Sequence, residues 1–369
     1  MSNRVALFLP SLAGGGAERV LVDLAEGFAK RKQDVDLVLA TAEGPYLKSL
    51  SKNVNVVDLG TKRTLTALPR LVRYLRRNRP RAMLSTLEHA NIIAVFARML
   101  ARVPTKVVIR EAISTSQASI DLSPPAAFTA VNLMKQFYPK ANSIVAVSEG
   151  VASDMVETLG VKREKIEMIL NPVLTERVFT LAREPLEHPW FTEDAKKDTP
   201  VLLTVGRLTQ QKDFPTLLEA FAKVRQQRHL RLVMLGEGED RDMLESVASD
   251  LGITEDIDMP GFVDNPFQYM ANASIYILSS VAEGLPNALI QAMALGRPVV
   301  ATDCPSGPRE ILEDGKYGKL IPMQNAGAMA KAIKQTLDEP HTPMTEAWVK
   351  RYSAEQVINQ YLDLLLDEK

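Results

Sequence analysis

The sequence is poor in several features that define other classes of protein. Cys304 is the only cysteine among 369 residues, so no disulfide can form within the chain, and nothing indicates an oxidising compartment. A formal net charge of −1 gives the molecule as a whole no attraction to nucleic acid, and we expect no such partner. No apolar run is long enough to span a bilayer, and residues 1–10 lack a signal-peptide core, so we expect a cytoplasmic protein.

A metal site is also missing from the sequence pattern. The Asp-x-Asp pair formed by Asp34 and Asp36 lies at the start of an apolar strand. Parallel sheets bind ligands at the opposite end of their strands. We therefore expect no metal ion to be held by this chain.

Apolar runs of strand length alternate with helical periods along most of the chain, beginning with Val5–Leu9 and Ala17–Lys30. This alternation predicts an α/β fold in which parallel strands carry helices on both faces. Hydrophobic residues make up 46% of the chain and charged residues 24%, as in a soluble globular protein. A length of 369 residues favours two domains of ordinary size.

The predicted boundary between the two domains follows Asn171-Pro-Val173. Residues 174–199 are polar, rich in proline and charge, and show no periodic pattern, which is typical of a linker. We predict two doubly wound, Rossmann-like domains at residues 1–173 and 174–369, facing each other across a cleft. The last predicted helix, at residues 354–366, can pack on either domain.

The most informative segment of the sequence runs from Leu278 to Asp303. The strand Ile275–Leu278 ends in small polar residues, and Glu283-Gly-Leu-Pro-Asn287 then turns the chain into a helix. A carboxylate and a glycine-proline turn thus lie at the carboxyl edge of a parallel sheet, against a helix N-terminus. Because this edge binds ligands and free N–H groups there favour anions, the segment predicts a phosphorylated, hydroxyl-rich ligand.

Other strand-end turns indicate the same kind of ligand. Arg207 and Lys212 flank the turn after the strand Val201–Val205, where two cations can neutralise a diphosphate. Glycine turns also follow the next two strands, at Leu235–Glu239 and Pro260–Asp264, and the second of these can present backbone groups to a base. Together these turns place several ligand-sized loops on one edge of one sheet.

A glycine-rich turn, Leu12–Arg19, joins the first strand to the first helix. Its three glycines allow a ligand to approach the backbone closely, and the helix presents its N–H groups there. A plain tight turn is the alternative. A nicotinamide dinucleotide fold requires an acid at the tip of the second strand. That tip is Ala40-Thr41 here, which argues against such a cofactor.

The order of these motifs resembles the retaining glycosyltransferases of GT-B fold, the large glycogen-synthase-like group. The likeness covers almost the whole chain and is tightest at Val201–Leu320. The Cys-Pro-Ser-Gly-Pro run is similar to bacterial enzymes that add N-acetylhexosamine or hexose to lipid-linked or surface polysaccharide. The segments that carry the resemblance are Gly14–Glu18, Val147–Val151, Asn171–Val173, Gly206–Lys212, Gly236–Gly238, Gly261–Asp264, Glu283–Pro286 and Asp303–Glu310.

The resemblance implies a donor site built mainly on the second domain. Arg207 and Lys212 would hold the donor diphosphate, and Glu283 would accept hydroxyl groups of the donor sugar. The residues implied to shape the turn whose N–H groups meet sugar and phosphate are Gly284, Leu285 and Pro286.

Further donor contacts are implied at the edges of this site. Gly15 and Gly16 would approach the phosphate from the first domain. Gly236 would lie in a neighbouring glycine turn, and Phe262 and Val263 would border the nucleobase.

One position departs from the family pattern. The family has a second glutamate eight positions after the first, which grips the ribose hydroxyls, and this position is Gln291 here. An amide carbonyl accepts a hydroxyl but carries no charge, so a weaker grip on the nucleotide is expected.

Two residues of the first domain are candidates for the acceptor side of the reaction. His89 follows a strand and is expected to face the cleft, where it can orient an acceptor hydroxyl or stabilise the sugar; a structural role is the alternative. Glu111 follows the strand Val107–Arg110 and is a similar candidate. His188 and His229 are expected at the surface.

The segment 62–81 is strongly basic. Its cations are Lys62, Arg63, Arg70, Arg73, Arg76, Arg77, Arg79 and Arg81. Leucine and valine recur there at helical spacing, so one face is apolar and the other basic, as in a helix lying on an anionic membrane. A solvated helix packed on its own domain and a pyrophosphate-binding segment remain alternatives. The first interpretation predicts a peripheral protein on the inner face of the membrane.

The sequence therefore predicts a hexosyltransferase. The expected reaction moves a hexosyl or N-acetylhexosaminyl group from a nucleoside diphosphate, with UDP implied by the resemblance alone, to a glycan or lipid-linked glycan. The catalytic residues would be Glu283, Arg207, Lys212 and His89, with no cofactor besides the donor substrate. The resemblance implies retention by front-face attack, with the leaving phosphate taking the acceptor's proton. The alternatives are a sugar-nucleotide epimerase or hydrolase of the same fold and a non-catalytic sugar-nucleotide binder.

Overall fold

The computed structural model describes residues 3–118, 124–192, 194–195 and 199–367. The chain divides into two compact units, one formed by residues 1–172 and 352–369 and the other by residues 173–351. The last eighteen residues thus return to the first unit, and the boundary between the units lies between Pro172 and Val173.

The first unit is built on seven parallel strands. They are β1 (Val5–Leu9), β2 (Val35–Leu39), β3 (Asn55–Asp58), β4 (Ala82–Thr86), β5 (Lys106–Glu111), β6 (Ser143–Ala146) and β7 (Ile166–Met168). Their order across the sheet is β3-β2-β1-β4-β5-β6-β7. Because β2 and β4 lie on opposite sides of β1, the right-handed crossovers place helices on both faces of the sheet.

The second unit repeats this plan with six parallel strands. They are β8 (Val201–Val205), β9 (Arg231–Leu235), β10 (Ile257–Gly261), β11 (Ile275–Leu278), β12 (Val299–Thr302) and β13 (Lys319–Ile321). Their order is β10-β9-β8-β11-β12-β13, so the direction of winding changes between β8 and β11. The two central strands are apolar and buried on both faces, as doubly wound sheets require. The prediction of two doubly wound, Rossmann-like domains is confirmed.

Fifteen α-helices connect these strands in the part of the chain that the structure describes. They are α1 (Gly16–Lys30), α2 (Leu68–Asn78), α3 (Glu88–Ala101), α4 (Thr115–Ala118), α5 (Pro124–Phe137), α6 (Glu149–Leu159), α7 (Glu176–Leu181), α8 (Phe214–Arg225), α9 (Arg241–Asp250), α10 (Pro266–Asn272), α11 (Asn287–Ala294), α12 (Pro308–Ile311), α13 (Ala326–Asp338), α14 (Glu346–Arg351) and α15 (Ala354–Leu366). Several begin at a side-chain cap. The Ser148 hydroxyl, for example, accepts the Val151 N–H at 3.3 Å, which pairs a backbone donor that the first turn leaves free.

Helix α15 packs on the first unit, against α1. Gly27 gives the helices room to approach, because a Cβ there would lie 2.3 Å from Ile358 Cδ1. Arg31 donates to Asn359 Oδ1 at 2.8 Å, and the Lys106 ammonium donates to the Leu364 carbonyl at 2.6 Å. The structure thus decides a packing choice that the sequence left open.

The segment after the predicted boundary is more ordered than its composition indicated. The prediction that residues 174–199 contain no periodic element is wrong, because α7 lies there with Val178 buried. Asn265 donates to the Leu181 carbonyl at 2.9 Å, which ties the end of α7 to the start of α10. One turn and a half of helix is too short to leave a clear periodic signal.

The expectation that His188 lies at the surface is also wrong. Its side chain is only 11% exposed and packs edge-on against the rings of Trp190, Phe191 and Tyr269. The Trp190 N–H donates to Nδ1, so Nε2 carries the proton that bonds Asp258 at 2.8 Å. His188 therefore anchors the segment after α7 to the second unit, whereas His229 is exposed as expected.

Candidate active site

The strand-end loops of the second unit meet at the carboxyl edge of its sheet. Lys212 follows β8 and Glu283 follows β11, the two strands between which the direction of winding changes. Open α/β sheets bind ligands at this switch point, because the flanking loops diverge there and leave room. The sheet order thus brings together two residues that lie 71 positions apart.

Lys212 and Glu283 form an ion pair at this edge. The Lys212 ammonium donates to Glu283 Oε1 at 2.6 Å, and the Ser280 hydroxyl donates to the same oxygen at 2.7 Å. Both side chains are largely buried, so the charge-assisted bonds are only weakly screened by solvent. Glu283 Oε2 accepts no hydrogen bond from any described residue, which leaves an acceptor for a ligand hydroxyl.

Three further hydrogen bonds hold the loop after β8 against the loop after β11. The Gln211 amide donates to the Ala282 carbonyl at 2.6 Å, and the Val281 N–H donates to the Gln211 carbonyl at 2.9 Å. The Ser279 hydroxyl donates to the Lys212 carbonyl at 2.6 Å. These contacts fix the backbone on both sides of the ion pair. The sequence did not single out Gln211 or Ser279; polar side chains in strand-end loops were the only signal.

The glycine turn after β9 packs tightly against the loop after β8. A Cβ on Gly236 would lie 1.9 Å from the Gly206 carbonyl oxygen, and one on Gly238 would lie 2.1 Å from that of Leu208. The Leu208 N–H donates to the Glu237 carbonyl at 2.9 Å. The two turns therefore need glycine at these positions, and together they shape the backbone that carries Arg207.

Exchange of Gly238 for alanine is expected to displace the loop after β8. The clash with Leu208 should cost about 1–3 kcal/mol of unfolding free energy, as overpacking does. Affinity for the expected nucleoside diphosphate should fall about tenfold or more because Arg207 moves with the loop. Gly327→Ala is the control, since a Cβ there makes only an ordinary contact of 3.5 Å with Asn325. Calorimetric titration with nucleoside diphosphates tests this, and equal affinities in the two variants would contradict it.

Arg207 differs from Lys212 in having no partner among the described residues. It is exposed and makes no hydrogen bond or ion pair with any residue that the structure describes. A guanidinium at a sheet edge that carries no internal contact is available to an external anion.

The turn from Glu283 to Pro286 is buried and braced by the loop after β12. Gly307 has φ +91°, and a Cβ on it would lie 2.5 Å from Pro286 Cδ. Pro286 immediately precedes α11, so Gly284 and Leu285 lead directly into the helix N-terminus. Gln291 lies one turn into α11, is half-buried, and makes no hydrogen bond with its side chain among the described residues.

Phe262 lies at the end of β10, at the far side of the same edge. Its ring is 56% exposed, although it is a large aromatic side chain. The Gly236 N–H donates to the Gly261 carbonyl at 2.9 Å and holds the two turns together. Val263, next along the chain, is half-buried. A flat exposed ring beside a glycine turn suits a planar ligand such as a base.

The remaining predicted site residues belong to the first unit. Gly15 caps α1 and Gly16 is its first residue, with no atom within 4 Å of a Cβ built on Gly16. The Tyr46 hydroxyl donates to the Gly14 carbonyl at 3.0 Å and supports the turn. His89 lies exposed in the first turn of α3 and makes no hydrogen bond with described residues.

Among the described residues, no group of three or more His, Cys, Asp or Glu side chains is arranged to hold a metal ion. Asp36, half of the Asp-x-Asp pair, is buried and accepts hydrogen bonds from Tyr74 at 2.6 Å and Asn55 at 2.7 Å. Asp36 therefore ties α2 and the neighbouring strand β3 to β2.

Two family models match the chain. The one described as Glycosyltransferase Family 4 covers residues 14–177, and the one described as Glycosyl transferases group 1 covers residues 199–339. Over 359 residues the chain is 30% identical to N-acetylgalactosamine-N,N'-diacetylbacillosaminyl-diphospho-undecaprenol 4-alpha-N-acetylgalactosaminyltransferase of Campylobacter jejuni, covering 91% of this chain and 90% of the relative. It is 32% identical to the lipopolysaccharide core biosynthesis glycosyltransferase LpsE of Rhizobium meliloti, covering 62% and 65% of the two chains.

Solved structures show the same fold. HepE of Anabaena, in complex with UDP-glucose, superposes with a TM-score of 0.80 at 20% identity, covering 98% of this chain and 99% of that one. WaaG, a glycosyltransferase involved in lipopolysaccharide biosynthesis, superposes with a TM-score of 0.72 at 15% identity, covering 98% and 99%. The chain belongs to the GT-B glycosyltransferases. Within them, it is a glycosyltransferase of glycan biosynthesis.

Proposed function

We propose that this protein is a retaining glycosyltransferase that uses a UDP-sugar. It moves a hexosyl or N-acetylhexosaminyl group to a glycan or lipid-linked glycan in polysaccharide or glycoconjugate biosynthesis. The observation that carries the proposal is the Lys212–Glu283 pair at the switch point of the second sheet, with Arg207 on the same loop. Cations for a diphosphate and a carboxylate for sugar hydroxyls then lie on adjacent loops.

The charges at this edge suit the cleavage of a glycosyl phosphate bond. Departure of the nucleoside diphosphate leaves negative charge on the leaving group, while the sugar ring gains positive character. The negative charge of the leaving group is stabilised by Arg207, Lys212 and the N-terminus of α11. The positive character of the sugar ring is stabilised by the Glu283 carboxylate. We propose that no metal ion is needed, because these groups supply the neutralising charge. Retention then follows from front-face attack, in which the leaving phosphate takes the proton of the acceptor hydroxyl.

The choice of UDP rests on the relatives. HepE structures contain UDP and UDP-glucose, and the Campylobacter relative is an N-acetylgalactosaminyltransferase that acts on a diphospho-undecaprenol substrate. Phe262 provides the aromatic surface for the base, and Gln291 takes the place of a charged ribose partner. In the first unit, Gly15 and Gly16 are proposed to bind a phosphate, and His89 is proposed to orient an acceptor hydroxyl.

A donor screen followed by product analysis tests the proposal. Binding of UDP, GDP and ADP is first compared by thermal shift, since a specific ligand raises the melting temperature by mass action. UDP-glucose, UDP-galactose and their N-acetyl forms are then incubated with polyprenyl-diphosphate-linked N-acetylhexosamine, with and without EDTA. We expect an α-linked product by NMR, unaffected by EDTA. Binding without transfer would favour a non-catalytic binder, and release of free sugar or of an epimer would favour the hydrolase or epimerase.

We also propose that the basic segment 62–81 contacts an anionic membrane. Part of its charge serves the fold, since Arg70, Arg76 and Arg81 donate to backbone carbonyls. The cations that make no ion pair with described residues are Lys62, Arg63, Arg73, Arg77 and Arg79. Leu65, beside Arg63, is 70% exposed. An exposed basic surface with a protruding apolar side chain suits a peripheral contact with a membrane.

No helix in the described ranges is both long and apolar enough to cross a bilayer.

Replacement of Arg63, Arg73 and Arg77 by glutamine is expected to weaken membrane binding. Each cation near an anionic surface contributes about 1 kcal/mol, so the triple variant should bind about a hundredfold more weakly. The measurement is co-sedimentation with vesicles of phosphatidylcholine and phosphatidylglycerol. The control replaces three exposed lysines of the second unit, Lys223, Lys331 and Lys350, which changes net charge equally. Equal loss in both variants, or no binding by the unaltered protein, would refute the membrane contact.

A further inference from the structure

A buried polar cluster lies at the carboxyl edge of the first unit's sheet, where β4 and β5 end. Asn91 of α3 and Tyr138 are completely buried, and Glu111, the last residue of β5, is only 4% exposed. The Asn91 amide donates to Glu111 Oε1 at 2.8 Å, and the Tyr138 hydroxyl donates to the same oxygen. One oxygen of the carboxylate is therefore fully engaged.

The second oxygen of Glu111 has no such partner. Among the described residues no donor bonds Oε2, although the side chain is almost entirely buried. Oε2 itself stays accessible to solvent. An accessible carboxylate oxygen without a protein donor, at a ligand-binding edge, is available to a ligand that donates.

Glu88 adds a second carboxylate to this edge. It opens α3 directly after Leu87, whose φ of +75° is rare for a bulky side chain and holds the chain in a strained turn. Thr86 is paired with Arg110 in the sheet, which places Glu88 beside Glu111. The strained turn thus keeps two acids close together at the end of neighbouring strands.

The nearest cation does not neutralise this pair directly. The Arg110 guanidinium donates to Thr86 Oγ1 at 2.9 Å and to Asn171 Oδ1, and it forms no ion pair with Glu111. Two carboxylates repel a phosphate, whereas they accept hydrogen bonds from neutral hydroxyl groups. The chemistry of the edge therefore selects a sugar ring and rejects the diphosphate part of any substrate.

We propose that Glu111, with Glu88 beside it, binds the acceptor sugar by taking a hydrogen bond from one of its hydroxyls on Oε2. This inference rests on the proposed function and deepens it, because it names the group in the first unit that recognises the acceptor. Asn91 and Tyr138 hold the carboxylate in place and act as positioning residues.

The protonation of Glu111 gives this binding a defined pH dependence. Burial, the largest influence, and the charge of Glu88 raise the pKa of Glu111, whereas hydrogen bonds from Tyr138 and Asn91 and the charge of Arg110 lower it; the net pKa is about 7. Below this pKa the carboxyl carries a proton, and Oε2, which bonds no described residue, becomes a donor. Acceptor binding should therefore weaken as the pH falls through 7.

The test is Glu111→Gln, which leaves Oε1 to Asn91 and Tyr138 and replaces the acceptor Oε2 with an amide donor. Loss of a hydrogen bond to a charged group should lower kcat/KM for the acceptor about ten- to a hundredfold, with KM for the donor unchanged. The acid limb of the acceptor pH profile should disappear. Tyr138→Phe is the control, because it removes bonds to Glu111 Oε1 and Asn91 but leaves Oε2 unchanged, and it should retain the acid limb.

A binding measurement keeps the result separate from the proposed function. Saturation-transfer NMR with methyl glycosides of glucose, galactose and their N-acetyl forms should show contacts in the unaltered protein that Glu111→Gln abolishes, while thermal shift by UDP stays the same. Normal glycoside binding by the variant, or no glycoside bound by the unaltered protein, would overturn the role of Glu111. Absence of sugar transfer by the unaltered protein, with glycoside binding intact, would instead overturn the proposed reaction alone.

Discussion

Exchange of Glu283 for glutamine is expected to lower kcat by about 10²- to 10³-fold, comparable to the loss of a group that stabilises transition-state charge. The amide can still accept the Lys212 and Ser280 bonds through Oε1, so the loops should stay in place. What is lost is the negative charge and the second acceptor oxygen, both of which we propose to act on the sugar. Steady-state kinetics with saturating donor and acceptor measure this loss.

The loss should appear in turnover and not in nucleotide binding. Glu283→Gln should bind UDP with nearly normal affinity in calorimetric titration, since the carboxylate is assigned to the sugar and not to the diphosphate. Ser280→Ala is the matched control, because Ser280 bonds only the oxygen that already holds Lys212, and it should lose less than about tenfold in kcat. Near-normal turnover of Glu283→Gln would remove Glu283 from the mechanism.

Removal of the Lys212 ammonium is expected to have the largest effect on nucleotide affinity. Lys212→Met should weaken UDP binding about a hundredfold at low salt, since a charge-assisted contact is lost and a buried carboxylate is left unpaired beside the phosphates. Arg207→Ala should lower UDP affinity only about tenfold, because Arg207 pairs with no described residue that would be left behind. Both losses should shrink as ionic strength rises.

The loss of UDP affinity in Lys212→Met has two causes that can be separated, the missing contact with the phosphates and the unpaired Glu283 carboxylate. Addition of Glu283→Gln to Lys212→Met removes the unpaired charge, so the double variant should recover part of the lost UDP affinity. Titrations at low and high salt provide the measurement. The four proteins to compare are the unaltered protein, Lys212→Met, Arg207→Ala and the double variant. If they bind UDP equally, or if their affinities respond identically to salt, the assignment of the diphosphate to Lys212 and Arg207 is wrong.

Much of the second unit's site was accessible from the sequence. Buried parallel strands are short apolar runs, and their ends are marked where glycine, proline or charge follows, as at Gly206, Gly236 and Glu283. These signals are local, so they can be read from the sequence without knowledge of the fold. The two wrong interpretations, a featureless segment at 174–199 and a surface His188, concern residues whose order comes from distant aromatic and polar partners.

Helix α5 shows a second limit of sequence patterns. Phe128 is 72% exposed and Met134 is almost completely buried on the same helix, so apolar residues do not mark a single face. The periodicity that identifies an amphipathic helix is therefore weak there. Such a helix is recognised only when its contact with α3 is known.

The sequence by itself determined the class of fold, the turns that can carry a ligand, and the residue types suited to a diphosphate and a sugar, because these follow from patterns within about ten residues. The tertiary structure alone decided that Lys212 pairs with Glu283, that Gln211 and Ser279 fix the loops around them, and that Glu111 lies next to Glu88 with one oxygen unused. These facts depend on which strands are neighbours in the sheet. Strand order is set by the packing of the whole unit, and no short stretch of sequence records it.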